Sequence, residues 1–144
     1  VGVYLGTVDE QYVPYVVPQE NGNKTDVRWA ALTDDAGTGL LVAGAAKNRK
    51  SPTLLEISAH HFRAEDLAGA KHTHELKRRD EITLHLDYRQ MGLGGASCGP
   101  PTLPQYLVMP EPVEYTLRLR PFSRQSASPV AGLAKTLIHS KPAL

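Results

Sequence analysis

Two stretches of the chain alternate apolar and polar residues with a period of two. In "EITLHLDYR", Ile82, Leu84, Leu86 and Tyr88 fall on one side, and Glu81, Thr83, His85, Asp87 and Arg89 on the other. In "VEYTLRLRP", Val113, Tyr115, Leu117 and Leu119 oppose Glu114, Thr116, Arg118 and Arg120. Such alternation predicts antiparallel strands with one buried face and one polar face. Residues 1–8 have strand composition weakened by Gly2 and Gly6. Residues 25–32 place Val27, Trp29 and Ala31 on one side, which puts Trp29 in the core. Residues 39–46, "GLLVAGAA", lack alternation and suit a strand covered on both faces. The Asp-Gly chemistry of "TDDAGTG" between these two runs predicts a hairpin. "LLEISAHHF", residues 54–62, is a further strand.

Helix is scarce. Residues 63–70, "RAEDLAGA", predict about two turns, with Glu65 and Asp66 at the start, where the dipole favours carboxylates. After Phe122 the chain changes character: 126–128 reads as a linker, and Ser128 before Pro129 predicts the cap of a short helix running to Leu137, with Gly132 inside it. Many short strands separated by turn residues imply an all-β, antiparallel β-sandwich with one or two short helices. The expected division is a sandwich over 1–122 and a tail over 123–144.

With 144 residues, the chain is sized for one domain or part of one. Hydrophobic residues at 41% and charged residues at 22% give enough apolar material for a core. A net charge of +1, with no basic stripe interleaved with aromatics, argues against nucleic acid. The basic run "KNRK" reads as a solvated loop. No apolar run is long enough for a membrane span and no leader pattern is visible. One cysteine, Cys98, forbids an internal disulfide, and a cytoplasmic location is expected. The chain opens on Val1 and reads as a fragment of something longer.

The residue types that do chemistry are dispersed. Paired-carboxylate catalysis by nucleophile and acid needs two carboxyl groups about 5–5.5 Å apart, and none of the 15 acidic residues singles out such a pair. Glu20 differs from the rest. It lies in "VPQENGN", a stretch without strand alternation and rich in side-chain hydrogen-bonding groups. One reading is a turn in which Gln19, Glu20 and Asn21 tie down neighbouring backbone; the other has Glu20 bracing the glycine loop described below. His60 and His61 are adjacent and point to opposite faces of a strand, whereas His72 and His74 are two apart and share one. No third ligand stands at motif spacing, so no metal is expected. "GGASCGP" is not the setting of a nucleophile elbow, and "GLGGAS" lacks the following helix of a dinucleotide fingerprint.

Three stretches together resemble one module: "DEQYVPYVVPQENGNKTDVRWAALTD", "AGAKHTHELKRRDEITLHLDYRQMGLGG" and "YTLRLRP". They are similar to the C-terminal domain of large bacterial β-galactosidases of the lactose-hydrolysing type, over about residues 1–122. The resemblance implies the second half of a supersandwich like that of galactose mutarotases, with catalytic glutamates in a separate barrel domain. This chain alone is therefore expected to be inactive, with no cofactor of its own; the family's magnesium and sodium ions belong mainly outside this domain. Expected partners are the remaining domains of the enzyme, galactoside substrate only through the parent active site, and a further copy through self-association. In many members, the segment after the glycines carries an acidic pair, a serine and a tryptophan that stacks on the aglycone. Here it reads Ala96, Ser97, Cys98, as in a branch of the family with "ASCGP" followed by "LPQY". The resemblance thus implies that Gly94, Gly95, Ala96, Ser97 and Cys98 edge the aglycone side of a cleft, supported by Glu20 and Asn21. The glycines are expected to supply positive φ and close backbone approach, and Pro100 and Pro101 to stiffen the exit. Other readings are a stand-alone carbohydrate-binding sandwich and a purely structural association module.

Overall fold

The computed structural model describes residues 1–47, 51–92, 95–96, 98–123, 125 and 129–140. Its strands are β1 (Lys24–Val27), β2 (Trp29–Thr33), β3 (Gly39–Gly44), β4 (Ala46–Lys47), β5 (Ser51–Pro52), β6 (Leu55–His60), β7 (Thr83–Asp87) and β8 (Leu117–Phe122). Two α-helices, α1 (Ala64–Gly69) and α2 (Val130–His139), and three single 3₁₀ turns complete it. The chain is all-β, mostly antiparallel, with few short helices, as its alternation predicts. It separates into two compact units, Val1–Thr25 with Glu56–Leu86, and Asp26–Leu55 with Asp87–Leu144.

The first unit holds most of a three-stranded sheet in the order β1-β6-β7. Leu55, Ile57, Ser58 and His60 of β6 are buried, as is fitting for its central strand. Helix α1 begins where Asp66 accepts the backbone N–H of Arg63 at 2.9 Å, the return half of a capping box. The same carboxylate receives Arg79 Nε at 2.5 Å and Nη2 at 2.7 Å, which depresses its pKa. Arg79 N–H also donates to the His61 carbonyl at 2.9 Å, fastening the 78–79 segment to the end of β6. His61 receives Arg78 Nη2 on Nε2 at 2.9 Å, and its Nδ1 lies 2.9 Å from the Arg79 carbonyl. A carbonyl can only accept, so the bond at Nδ1 is made by an Nδ1–H.

In the second unit, β3 is the central strand of the antiparallel sheet β2-β3-β8. The expected hairpin forms, with Trp29 opposite Ala43 and Thr33 opposite Gly39. Asp34 closes its turn by exchanging backbone hydrogen bonds with Thr38 and Gly37, and Gly37 takes the φ of 80° that a side chain disfavours. Leu41, Val42 and Ala43 are all buried, so both faces of β3 are covered, as its unbroken apolar run predicts. The core cluster joins Leu41 and Phe122 to Leu133 and Ala134 of α2, with Trp29, Ala31, Val130 and Leu137 packed around it.

Several elements differ from expectation. The run at 25–32 is two strands in two sheets, broken at Arg28; Asp26 takes φ 57°, and the Arg28 carbonyl accepts Gly44 N–H at 3.3 Å. Residues 1–7 form no strand and are exposed: no described strand pairs with them, and Gly2 and Gly6 dilute their side-chain packing. Of 113–121, only the part from Leu117 is strand; Val113 and Tyr115 lie outside it and are exposed. All of β7 is half-buried on both faces, so its alternation does not divide core from water. Helix α2 runs to His139 with Pro129 at its N-cap. The expected cap, Ser128, and most of the "KNRK" loop lie outside the described residues.

Candidate functional site

The glycine loop springs from a tied base in the second unit. Gln90 Nε2 donates to Asp87 Oδ2 at 2.7 Å, and Val108 N–H points to Met91 Sδ at 3.1 Å. Tyr88 and Tyr115 rings lie 5.6 Å apart between the two arms. From this base, Gly95 and Ala96 form an exposed turn, followed by exposed, free Cys98. Gly94 and Ser97 lie outside the described residues.

The glycines contribute less uniformly than expected. A Cβ on Gly95 would sit 2.5 Å from Thr102 Oγ1 and 3.3 Å from its backbone nitrogen, so the returning chain passes close there and Thr102 would have to shift. Among the described residues of the turn, the positive φ, 64°, belongs to Ala96. Gly92 and Gly99 face open space and have no positive φ.

Around Glu20, in the first unit, hydrogen bonds follow the turn reading. Asn21 Oδ1 accepts Val13 N–H at 2.9 Å and its Nδ2 donates to the Gln19 carbonyl at 3.0 Å. One side chain thereby joins the two arms of the 13–21 segment. Glu20 Oε1 lies 3.8 Å from His85 Nε2 on β7. Asn23 Nδ2 donates to Glu56 Oε2 at 2.8 Å, and Lys24 Nζ donates to the Gly22 carbonyl. Replacing Asn21 by alanine should free Val13 N–H and the Gln19 carbonyl, both near water, and destabilise the chain by about 1 kcal/mol. Urea denaturation together with proteolytic nicking of 13–21 would measure it; unchanged nicking would show the side chain to be dispensable.

Beneath this segment lies a feature that sequence reasoning missed. His60 is 2% exposed, and among the described residues neither ring nitrogen has a hydrogen-bond partner. Tyr12 hydroxyl is buried in the same condition, and the Tyr12 ring stands edge-on to His60 at 6.1 Å and to Phe62 at 5.4 Å. Burial lowers the His60 pKa; the Asn21 backbone and Glu20 oppose that, and His85 and Lys24 reinforce it. Lys24 and Tyr12 are likewise pushed toward their neutral forms by burial. The adjacency of His60 and His61 was visible in the sequence, but their common burial was not, because a strand position says nothing about what covers it.

The other candidates resolve simply. His72 and His74 stack face to face at 5.6 Å on a 3₁₀ turn. Among the described residues, no three His, Cys, Asp or Glu side chains converge as a metal site would require. No described helix is long and apolar enough to cross a membrane.

The family assignment follows from comparison of the whole segment. Residues 1–119 match the family model described as the beta-galactosidase small chain, and the chain belongs to that family. It is 41% identical over 95 residues to a beta-galactosidase of Priestia megaterium (strain DSM 319 / IMG 1521), covering 66% of this chain and 8% of that protein. It is 35% identical over 123 residues to the beta-galactosidase of Arthrobacter sp. (strain B7), covering 83% of this chain and 12% of that one. Beta-galactosidase BgaC of Bifidobacterium adolescentis (strain ATCC 15703 / DSM 20083 / NCTC 11814 / E194a) is 37% identical over 125 residues, covering 85% and 11%. The chain therefore spans about a tenth of the length of the curated relatives it matches.

Proposed function

We propose that this chain is a non-catalytic C-terminal portion of a β-galactosidase, an enzyme hydrolysing terminal β-D-galactosides such as lactose. In this reading it lines the aglycone side of an active site whose two catalytic glutamates, and whose magnesium and sodium, belong to other domains. The observation that carries it is the family match over 1–119 in a chain that spans about a tenth of its β-galactosidase relatives. The exposed loop at Gly95, Ala96 and Cys98, tied at its base and open around the thiol, suits a projection that edges a neighbouring cleft. Exposed apolar side chains at Val1, Tyr4, Leu5, Val16, Leu103 and Met109 suit contacts with the remaining domains.

Cys98 offers a small side chain where an aromatic one would stack on the aglycone. Stacking contributes about 0.5–1.5 kcal/mol beyond area burial, or roughly 2- to 10-fold in affinity. In the full-length enzyme carrying this segment, Cys98→Trp should tighten glucose as an acceptor or product inhibitor by that factor. Unchanged acceptor affinity would remove Cys98 from the aglycone site.

A further inference from the structure

We propose that α2 is a strap, specific to the part of this chain beyond the family match, that closes one face of the β2-β3-β8 sheet and is hooked there by Arg118. The family segment ends at residue 119, and α2 spans Val130–His139. Yet two of the four residues of the core cluster, Leu133 and Ala134, come from α2. With Phe122 at the end of β8, three of the four lie beyond the family segment.

Strand register identifies the covered face. Trp29 lies opposite Ala43, which lies opposite Arg118; Ala31 lies opposite Leu41, which lies opposite Arg120; Gly39 lies opposite Phe122. Residues directly opposite share a face, so this one is apolar across β2 and β3 and cationic along β8. By alternation alone, Arg118 and Arg120 mark it as the wet side of β8, and Leu119 marks the other side as core. The packing is the reverse: α2 covers the arginine side, while Leu119 stays 57% exposed.

Helix α2 answers both halves of this mixed face. Val130, Leu133, Ala134, Leu137 and Ile138 stand at i, i+3, i+4, i+7 and i+8, a single apolar stripe. Its C-terminal end, the negative pole of the helix, meets the guanidinium: Arg118 Nη1 donates to the Leu137 carbonyl at 2.8 Å, and to the carbonyl and hydroxyl of Ser140. Ten residues with Gly132 among them are too few to hold a helix in water unaided, isolated helices being marginal below about 12–15 residues. Docking and helix formation are therefore one event, and release of the hook uncovers the apolar strip as the helix unwinds.

Trp29, the chain's only tryptophan, packs against this cluster and reports directly on the strap. In the full 144-residue chain, Ala134→Glu should lift α2, because Ala134 is fully buried. The expected result is a red-shifted Trp29 emission, greater quenching by acrylamide and a loss of helical circular dichroism. Arg118→Ala is the milder variant and decides the matter if Ala134→Glu fails to fold. It should speed amide exchange in α2 by about tenfold, the loss of a charge-assisted bond of about 1.4 kcal/mol, and raise Trp29 quenching while strand exchange in β2 and β3 is unchanged. Unaltered α2 exchange and Trp29 quenching in Arg118→Ala would overturn the hook, and unaltered Trp29 emission in a folded Ala134→Glu would overturn the strap.

Discussion

Leu41→Ala is expected to destabilise the chain by about 3 kcal/mol, lowering its melting temperature by roughly 10 °C. Leu41 is completely buried at the centre of β3, between Ala31 on β2 and Arg120 on β8, and beneath Leu133 and Ala134. Truncation removes apolar area from the core and leaves a void. The sheet cannot collapse into that void, because hydrogen bonds on both edges of β3 fix its backbone. The informative control is Leu119→Ala on β8, where the same change at a position 57% exposed should shift stability by no more than about 0.5 kcal/mol. Thermal and urea unfolding of the two variants would separate them. Equal losses would mean that the Leu119 side of the sheet, and not the α2 side, carries the core of this unit.

That contrast shows where sequence reading succeeds and where it stops. The β2-β3 hairpin was legible because two independent signals agree, turn chemistry at Asp34–Gly37 and apolar runs on either side. Helix α1 was legible for the same kind of reason, its carboxylates standing at the start of a short helical run. Alternation in β8 correctly gave a strand, but could not say which face would be covered. That depends on α2, whose position no local pattern encodes. Residues 1–7 have strand-like composition, but a strand needs a partner edge as well as propensity, and the described structure gives them none. The break at Arg28 was hidden because alternation continues through a residue at which the backbone leaves one sheet for another.

The candidate site divides in the same way. Asn21 was readable as a backbone tie, since an Asx side chain in a polar turn has few other things to do. The exposure of Cys98 follows from its glycine-rich setting. Positive φ at Ala96, the close approach of Thr102 to Gly95 and the Met91–Val108 tie all depend on how the chain returns at Thr102–Val108, which a one-dimensional pattern does not fix. His60 and Tyr12 were the least legible of all. Their interest lies in buried polar atoms without a partner among the described residues, a property of everything packed around them.

His60 should make the chain sensitive to mild acid. Burial lowers its folded-state pKa, so the folded chain holds a neutral imidazole, while the unfolded chain titrates near the ordinary histidine value of about 6.5. Above pH 6.5, both states are neutral at this residue and its contribution is fully present. Below pH 6.5, the unfolded state binds a proton that the folded state refuses, and stability falls by about 1.4 kcal/mol per pH unit until the folded-state pKa is reached. The loss by pH 5 is bounded at about 2 kcal/mol, the value reached only if the folded state binds no proton over that interval. The depressed carboxylates Asp9, Glu10, Asp66, Glu75 and Glu81 act in the same direction but at lower pH, because their unfolded values lie near 4. The interval from pH 6.5 to 5 therefore separates the histidine effect from theirs. His60→Leu keeps the volume similar and removes two unsatisfied nitrogens, so at pH 8 it should cost little or even stabilise the chain. Between pH 7 and 5, its urea midpoint should fall less steeply than that of the parent, by the missing proton. Parallel curves for the two chains would mean that His60 charges as readily in the fold as out of it, and that its burial is relieved by a route open to water.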